Sequence, residues 1–254
     1  MSRILVIGGY GGFGARLVRR LTAAGHDVLV GGRSLAKAQR CCEGLAGGRA
    51  VQLDRSADLV PVLRDHAPDI VIDAAGPFQQ SSYDVPKACI TQGCSYLDLA
   101  DGRDFVVGVD ALNEAARAAG VAVISGASTV PALSGAVARS LCEGLDRADM
   151  VEIALSASTR STATRSVTRA ILSYAGRPIL IWRGGRWTTG FGGSDLRREK
   201  FRVSGIKPLP RRWMALCDVP DLEVLPGMLP GRPAVNFRAG SDRAPQILGL
   251  WATG

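Results

Sequence analysis

The sequence predicts an α/β chain in two parts: a doubly wound parallel sheet, then a smaller α+β domain with a mostly antiparallel sheet. Three observations carry that reading. From Arg3 to about Ser125, short β-branched runs alternate with helical segments, and strands so apolar imply a parallel sheet covered on both faces. A glycine-rich turn joins the first strand to the first helix. After Gly126 the texture changes to strand-like runs set between glycine- and proline-rich turns, the pattern of antiparallel sheets. The chain is therefore expected to divide near Ala127, into 1–127 and 128–254.

Residues 3–7 form the first strand and 12–24 the first helix, with Phe13, Leu17, Val18 and Leu21 on one apolar face. Gly25 and His26 end that helix, and 27–30 make the second strand. A helix at 35–45, a strand at 50–53, a helix at 59–66 and a strand at 69–74 follow. Next come a helix at 85–92, a strand at 95–99, a helix at 109–119 and a strand at 121–124. In the second part a helix at 132–143 precedes strands at 150–157, 179–182, 186–189 and 235–238, with a helix near 164–175. Residues 190–194 and 226–233 read as loops. The last residues, Leu248 to Gly254, read as an unfinished strand that leaves either a shortened domain or a partly open cleft, with Trp251 exposed or paired at a sheet edge with a second subunit.

Composition excludes several functions. Hydrophobic residues make up 46% of the chain and charged residues 21%, as in soluble globular proteins and not in disordered ones. The net charge of +8 comes mostly from scattered arginines, and aromatics are only 6%. A nucleic-acid partner is therefore not expected; a basic surface that attracts anionic cofactors or substrates is. No apolar run approaches the ~20 residues that span a bilayer, so no membrane partner is expected either. The opening apolar run breaks at Gly8-Gly9, with Arg16, Arg19 and Arg20 soon after, as in a first strand and not a secretory segment. Six cysteines form no CxxC pair, and His26 and His66 lie far from them. We read reduced thiols in a cytoplasmic protein and no metal site.

Gly9-Tyr10-Gly11-Gly12-Phe13-Gly14 fits GxGxxG. Glycine is so common here, 31 of 254 residues, that about 0.4 such matches arise by chance, and the motif takes its weight from its place. It follows the first strand directly and opens the first helix. There Gly9 permits a tight turn, Gly11 lets backbone approach a pyrophosphate, and Gly14 allows close helix–sheet packing, the logic of a Rossmann dinucleotide site. Amides at the helix start would face the phosphates. The plain alternative is a glycine-rich turn without a ligand. At the end of the second strand, where an NAD enzyme places a carboxylate on the ribose, stands Gly31-Gly32-Arg33-Ser34. The two glycines leave a 2′-phosphate unobstructed, and Arg33, Ser34 and Lys37 can grip it. The expected cofactor is NADP(H). A helix cap at Ser34 beside a solvated arginine is the structural alternative, and both can hold together.

With these residues go Asp73-Ala74-Ala75-Gly76-Pro77-Phe78 and Tyr96-Leu97-Asp98-Leu99. Together they resemble the saccharopine dehydrogenase-like family across the first domain. The second domain is similar in outline only, through Gly126-Ala127-Ser128-Thr129-Val130-Pro131 and Asp221-Leu222-Glu223-Val224-Leu225-Pro226. The resemblance implies a substrate domain behind the Rossmann domain and a nicotinamide-dependent reaction on the CH–NH group of an amino-acid-like substrate. It places Gly76, Pro77 and Phe78 beside the cofactor and Asp54 near the adenine. One departure stands out: after Tyr96-Leu97-Asp98 the family pattern has a glycine and then an acidic residue, whereas here Ala100-Asp101-Gly102 follows.

The catalytic candidates are Asp98, Tyr96 and Asp101 around the fifth strand, with Ser125, Ser128 and Thr129 after the sixth. Asp98 ranks first, because a carboxylate can orient an iminium; a buried carboxylate accepting backbone bonds is its structural alternative. Arg160, Arg165 and Arg169 could hold a substrate carboxylate, or be solvated on a helix surface. Two other functions stay open at this point: reduction of an enoyl or other unsaturated substrate, and dinucleotide binding without turnover. The expected partner is a small-molecule substrate, with a homodimer through the second domain.

Overall fold

The computed structural model describes residues 1–158, 171–202 and 204–253, and the chain divides into two compact units, Met1–Ser128 and Thr129–Gly254. In the first, β1 (Arg3–Ile7), β2 (Asp27–Gly32), β3 (Gly48–Gln52), β4 (Ile70–Asp73), β5 (Ser95–Asp98) and β6 (Val123–Ile124) form one sheet. Their order is β3-β2-β1-β4-β5-β6, and every pair is parallel. This is the doubly wound order, whose direction of winding reverses between β1 and β4.

The apolar strands are explained by what covers them. On one face Leu5, Ile7, Leu29 and Val71 pack with Leu63, Val85 and Cys89, which come from α3 (Val60–His66) and α4 (Asp84–Gln92). On the other, Ile4, Val6, Val28, Val30 and Ile72 pack with Val18 and Ala38, from α1 (Gly14–Ala23) and α2 (Leu35–Cys42). Alternate residues of each strand thus enter different cores, so no alternation of polarity survives in the sequence.

One expected helix divides. Residues 109–119 were to form a single helix; instead α5 (Arg103–Gly108), a 3₁₀ turn (Val109–Leu112) and α6 (Asn113–Ala118) run in series. The α5 turn is recruited by packing. Phe105 is buried against Phe78, ring centroids 5.3 Å apart, and against Tyr83 at 4.8 Å.

The second unit holds α7 (Ser134–Leu141), β7 (Met150–Ala157), β8 (Pro178–Arg183), β9 (Arg186–Phe191), β10 (Arg197–Glu199), β11 (Arg212–Leu216), α8 (Asp221–Met228), β12 (Ala234–Ser241) and α9 (Ala244–Thr253). Its sheet runs β10-β11-β12-β7, with β8 and β9 a separate hairpin. It is mixed: β10–β11 and β11–β12 are antiparallel, whereas β12 pairs with β7 in parallel over eight residues.

Three local expectations are corrected. Gly190 and Phe191 belong to β9, paired with Ile179 and Pro178, and not to a loop. The expected loop from Pro226 begins inside α8, which carries Pro226 because Leu222 and Leu225 are fully buried and anchor the helix. The expected terminal strand is the helix α9; Pro245 falls in its first turn, where its missing N–H costs nothing. That helix removes the sheet-edge pairing expected of Trp251, whose side chain lies outside the described residues. So do Arg160, Arg165 and Arg169, and most of the helix expected near 164–175.

The second unit buries a charge. Arg238 on β12 is only 2% exposed; its Nε donates to Asp195 Oδ2 at 3.1 Å and its Nη1 to Glu152 Oε2 at 2.5 Å. Burial would raise the Asp195 carboxyl, but Arg238 and Arg197 outweigh it and hold the pKa below 3.8. A depressed carboxylate adds stability that is present above its unfolded value and lost as pH falls through its folded one. Asp195→Asn should therefore destabilise the protein by about 2 kcal/mol at neutral pH, and the gap to wild type should close below pH 3.8. Chemical denaturation at both pH values checks this; a gap that persists in acid assigns the loss to packing.

Candidate cofactor site

The site begins at the reversal of the sheet, on the carboxyl ends of β1, β2 and β4. The tight turn after β1 is made by Gly8 (φ 73°), one residue before the glycine expected to make it. Gly9 serves contact instead: a Cβ there would lie 2.9 Å from Val30 Cγ1 and from the Val6 carbonyl oxygen. Gly14 has the tightest fit, since a Cβ would stand 2.2 Å from the Gly8 carbonyl oxygen. Only a glycine lets α1 sit so close to the loop.

That seating sets the donors. The Gly11 amide turns inward to the Gly8 carbonyl at 2.8 Å, whereas among the described residues no backbone carbonyl accepts from the amides of Gly12 and Phe13. Both residues are exposed. Free amides at the positive end of a ten-residue helix form an anion cradle. Gly11 borders it openly, with the Gly8 carbonyl as the sole near neighbour of a Cβ, at 3.0 Å.

The end of β2 holds Arg33, Ser34 and Lys37. Arg33 is exposed, and among the described residues no acidic side chain pairs with it. The Ser34 hydroxyl oxygen accepts from the Lys37 amide at 3.4 Å, capping α2 and leaving its own proton to donate. Two details differ from expectation. Gly31 and Gly32 make room for the protein's own side chains and not for a phosphate: a Cβ on Gly31 would meet Leu53 at 2.8 Å, and one on Gly32 the Tyr10 ring at 2.5 Å. Of the Ser34 groups that could reach a phosphate, the amide already donates to the Tyr10 hydroxyl at 3.1 Å.

Arg33 also borders a cleft of about 410 Å³ between the ends of β2 and β3, lined by Leu53, Asp54, Leu59 and Val62. Asp54, expected near the adenine, lines this cleft. Its Oδ1 accepts from the Ser56 amide at 2.9 Å and shapes the turn.

Around β4 and β5 the structure departs from the expected catalytic set. Asp98 is 0% exposed, and its Oδ1 accepts from the amides of Ala100 (2.9 Å) and Gly126 (2.8 Å) and from the Ser125 hydroxyl (3.0 Å). It ties the ends of β5 and β6 together and is closed off from solvent. Tyr96 is equally buried, in the core beside Leu5 and Ile7. Among the described residues neither the Tyr96 hydroxyl nor Asp98 Oδ2 makes a well-formed hydrogen bond, although the two side chains lie beside each other. Burial raises both pKa values, that of Asp98 despite its three donors. Of the expected trio Phe78 is buried too, whereas Gly76 is partly exposed and Pro77 exposed. Asp101 stays partly exposed; its Oδ1 accepts from Gln79 Nε2 at 3.1 Å, and burial raises its pKa.

Arg55 was not anticipated. It follows β3, and its Nε donates to the fully buried Asp73 at 2.5 Å, its Nη1 to Ser81 Oγ at 3.1 Å. Its guanidinium lies 4.9 Å from the Phe78 ring centroid. Ser81 in turn donates to the Pro77 carbonyl at 3.2 Å, so Arg55 braces the whole segment after β4. A signal was available: the two predicted strands 69–74 and 95–99 each carry a carboxylate, Asp73 and Asp98, one residue before their end, and a carboxylate so enclosed needs a donor.

The saccharopine dehydrogenase NADP binding domain matches residues 4–124, the span from β1 to β6. The first unit belongs to the saccharopine dehydrogenase-like family. This saccharopine dehydrogenase-like unit is an NAD(P)-binding oxidoreductase domain. No curated protein matches the chain. Similar solved structures include BdcA (YjgI) from E. coli, at 22% identity over 49% of this chain and 82% of that one, TM-score 0.37. Others are yvaA from Bacillus subtilis, 12% over 95% and 65%, TM-score 0.47, and the Bordetella bronchiseptica enzyme WbmG in complex with NAD, 21% over 38% and 36%, TM-score 0.31. The chain thus spans less than two thirds of the yvaA and WbmG chains. Family membership rests on the domain match alone. Among the described residues no helix is long and apolar enough to cross a membrane.

The Asp98 geometry yields a test within this saccharopine dehydrogenase-like domain. Asp98→Asn keeps the accepting oxygen and puts an N–H donor beside the Tyr96 hydroxyl. A raised folded pKa means stability that is full below the unfolded value of 3.8 and lost as pH rises through the folded one. The asparagine variant should match or exceed wild type at neutral pH, with its advantage shrinking on acidification. Asp98→Ala strands three donors and should cost about 3 kcal/mol. Denaturation curves decide; equal losses in both variants would show that the negative charge itself is needed.

Proposed function

We propose that this chain is an NADP(H)-dependent oxidoreductase acting on the CH–NH group of an amino-acid-like imine or secondary amine. One observation carries the cofactor choice: directly after β2, where no carboxylate stands, Arg33 exposes a guanidinium that has no acidic partner among the described residues. A carboxylate there would repel a 2′-phosphate, whereas Arg33 offers it paired donors. Asp27, the acidic residue of β2, lies at the opposite end and is bound by Arg3 and Arg49.

The residues fit the cofactor in three places. The amides of Gly12 and Phe13 suit the pyrophosphate. Arg33, the Ser34 hydroxyl and the Lys37 ammonium suit the 2′-phosphate. The Leu53, Asp54 and Leu59 cleft suits the adenosine. When bound, the nicotinamide supplies or accepts the hydride.

The chain's own contribution is binding, orientation and one proton. Arg55 and Asp73 keep the Gly76-Pro77 backbone in place beside the cofactor. Asp101 is the remaining candidate for proton transfer, because it alone of the three expected residues retains exposure. With its pKa raised by burial, its carboxyl can hold a proton nearer to neutrality and give it to the nitrogen of a reduced imine. The family match supports the CH–NH assignment, and the second unit is assigned to the substrate.

Two measurements test this reading. Arg33→Ala loses a charged hydrogen bond of ~1.5–3 kcal/mol, so NADPH should bind roughly 10- to 150-fold more weakly, with NADH affinity unchanged. Equal loss for both cofactors would mean that Arg33 serves the fold and not the phosphate. With imines formed from 2-oxo acids and amines, and turnover followed at the nicotinamide absorbance, Asp101→Asn should lower kcat by about 100-fold or more, with NADPH binding intact. In wild type the reductive rate should fall as pH rises through the raised Asp101 pKa. A variant with normal turnover and an unchanged pH profile would remove Asp101 from the reaction.

A further inference from the structure

Tyr10 occupies an x position of the glycine motif, where any residue is allowed, yet its side chain reaches across to the end of β2. The Ser34 amide donates to its hydroxyl at 3.1 Å. Its ring covers Gly32 so closely that a Cβ there would stand 2.5 Å from Cε1 and 2.7 Å from Cζ and the hydroxyl oxygen. Tyr10 therefore touches both neighbours of Arg33. The peptide that joins Arg33 to Ser34 is pinned at both ends, since its carbonyl oxygen accepts from Gln52 Nε2 at 3.3 Å while its N–H is held by Tyr10. Rotation of that peptide would change the backbone of Arg33 and swing the guanidinium away.

We propose that Tyr10 is the positioning residue for NADPH selectivity: it holds the Arg33–Ser34 peptide so that the guanidinium and the Ser34 hydroxyl converge on one phosphate. This rests on the reading of Arg33 as the 2′-phosphate ligand. Tyr10 itself lies between Gly9 and Gly11, two residues before the first free amide of the pyrophosphate cradle. One side chain thus ties the two phosphate subsites together. A long, flexible arginine side chain loses rotamer freedom when it binds, and a fixed backbone beneath it reduces the remaining ordering cost. The glycine at position 32 follows from the same contact: it makes space for Tyr10.

The test is the ratio of NADPH to NADH affinity in the full-length chain, titrated by calorimetry. Tyr10→Phe keeps the ring and removes one hydrogen bond, so NADPH should bind about 3- to 10-fold more weakly, with NADH within twofold of wild type. Gly32→Ala forces the ring off Ser34 and should give a similar NADPH-specific loss. In the Tyr10→Phe background it should add less than it does alone, because the two changes break one interaction. Equal weakening of both cofactors, or no change in either, overturns the inference; the first result would make Tyr10 a support of the glycine loop alone. Arg33→Ala measured alongside separates the two ideas. If it lowers NADPH affinity and Tyr10→Phe does not, only the role of Tyr10 falls. If Arg33→Ala leaves NADPH binding untouched, the 2′-phosphate reading falls and this inference with it.

Discussion

Helix α1 rests on the glycine loop at a point where there is room for a hydrogen and nothing larger. A Cβ on Gly14 would lie 2.2 Å from the Gly8 carbonyl oxygen, well inside any tolerable contact, so the identity of that one residue sets how near the helix comes to the sheet. Much of the candidate site follows. The close seating directs the positive end of the helix at the reversal of the sheet, leaves the Gly12 and Phe13 amides without carbonyl partners among the described residues, and brings Tyr10 within reach of Ser34, the cap of α2. A larger residue at position 14 would lift the helix and separate all three.

A second constraint lies one layer deeper. Two neighbouring strands, β4 and β5, end in the registered pair Asp73 and Asp98, both shut away from water. Burying two carboxylates side by side is costly, and the structure offsets the cost differently for each. Asp73 is met by a guanidinium, and Arg55 then braces the segment after β4 through Ser81. Asp98 is met by neutral donors, two amides and a hydroxyl, and so fixes the path of the chain beyond β5 and β6. Even so, burial raises the pKa of both above the ordinary carboxylate value. Carboxylates at these positions build the floor beneath the ends of β4 and β5.

The second unit handles buried charge in another way. Arg238 sits inside a mixed sheet between two carboxylates, with Asn236 on the same strand bonded to both Arg183 and Glu152. These polar links cross from β12 to β7, β8 and the turn before β10, elements far apart in sequence.

The sequence by itself determined the order of the six strands in the first unit, the place of the glycine loop and the absence of a carboxylate at the end of β2. Each rests on local information: a run of β-branched residues, a spacing of glycines, an arginine where a carboxylate would otherwise stand. Whether Asp98 faces solvent or the sheet, whether Tyr10 is idle or bonded, and whether residues 248–253 are strand or helix were decided by the tertiary structure alone. A side chain's surroundings depend on residues brought beside it from elsewhere in the chain. Asp98 is enclosed by Gly126 and Ser125, Asp73 is paired by Arg55, and Gly32 is required by Tyr10. None of those partners is marked by sequence spacing, because the parallel sheet joins them through crossovers of variable length.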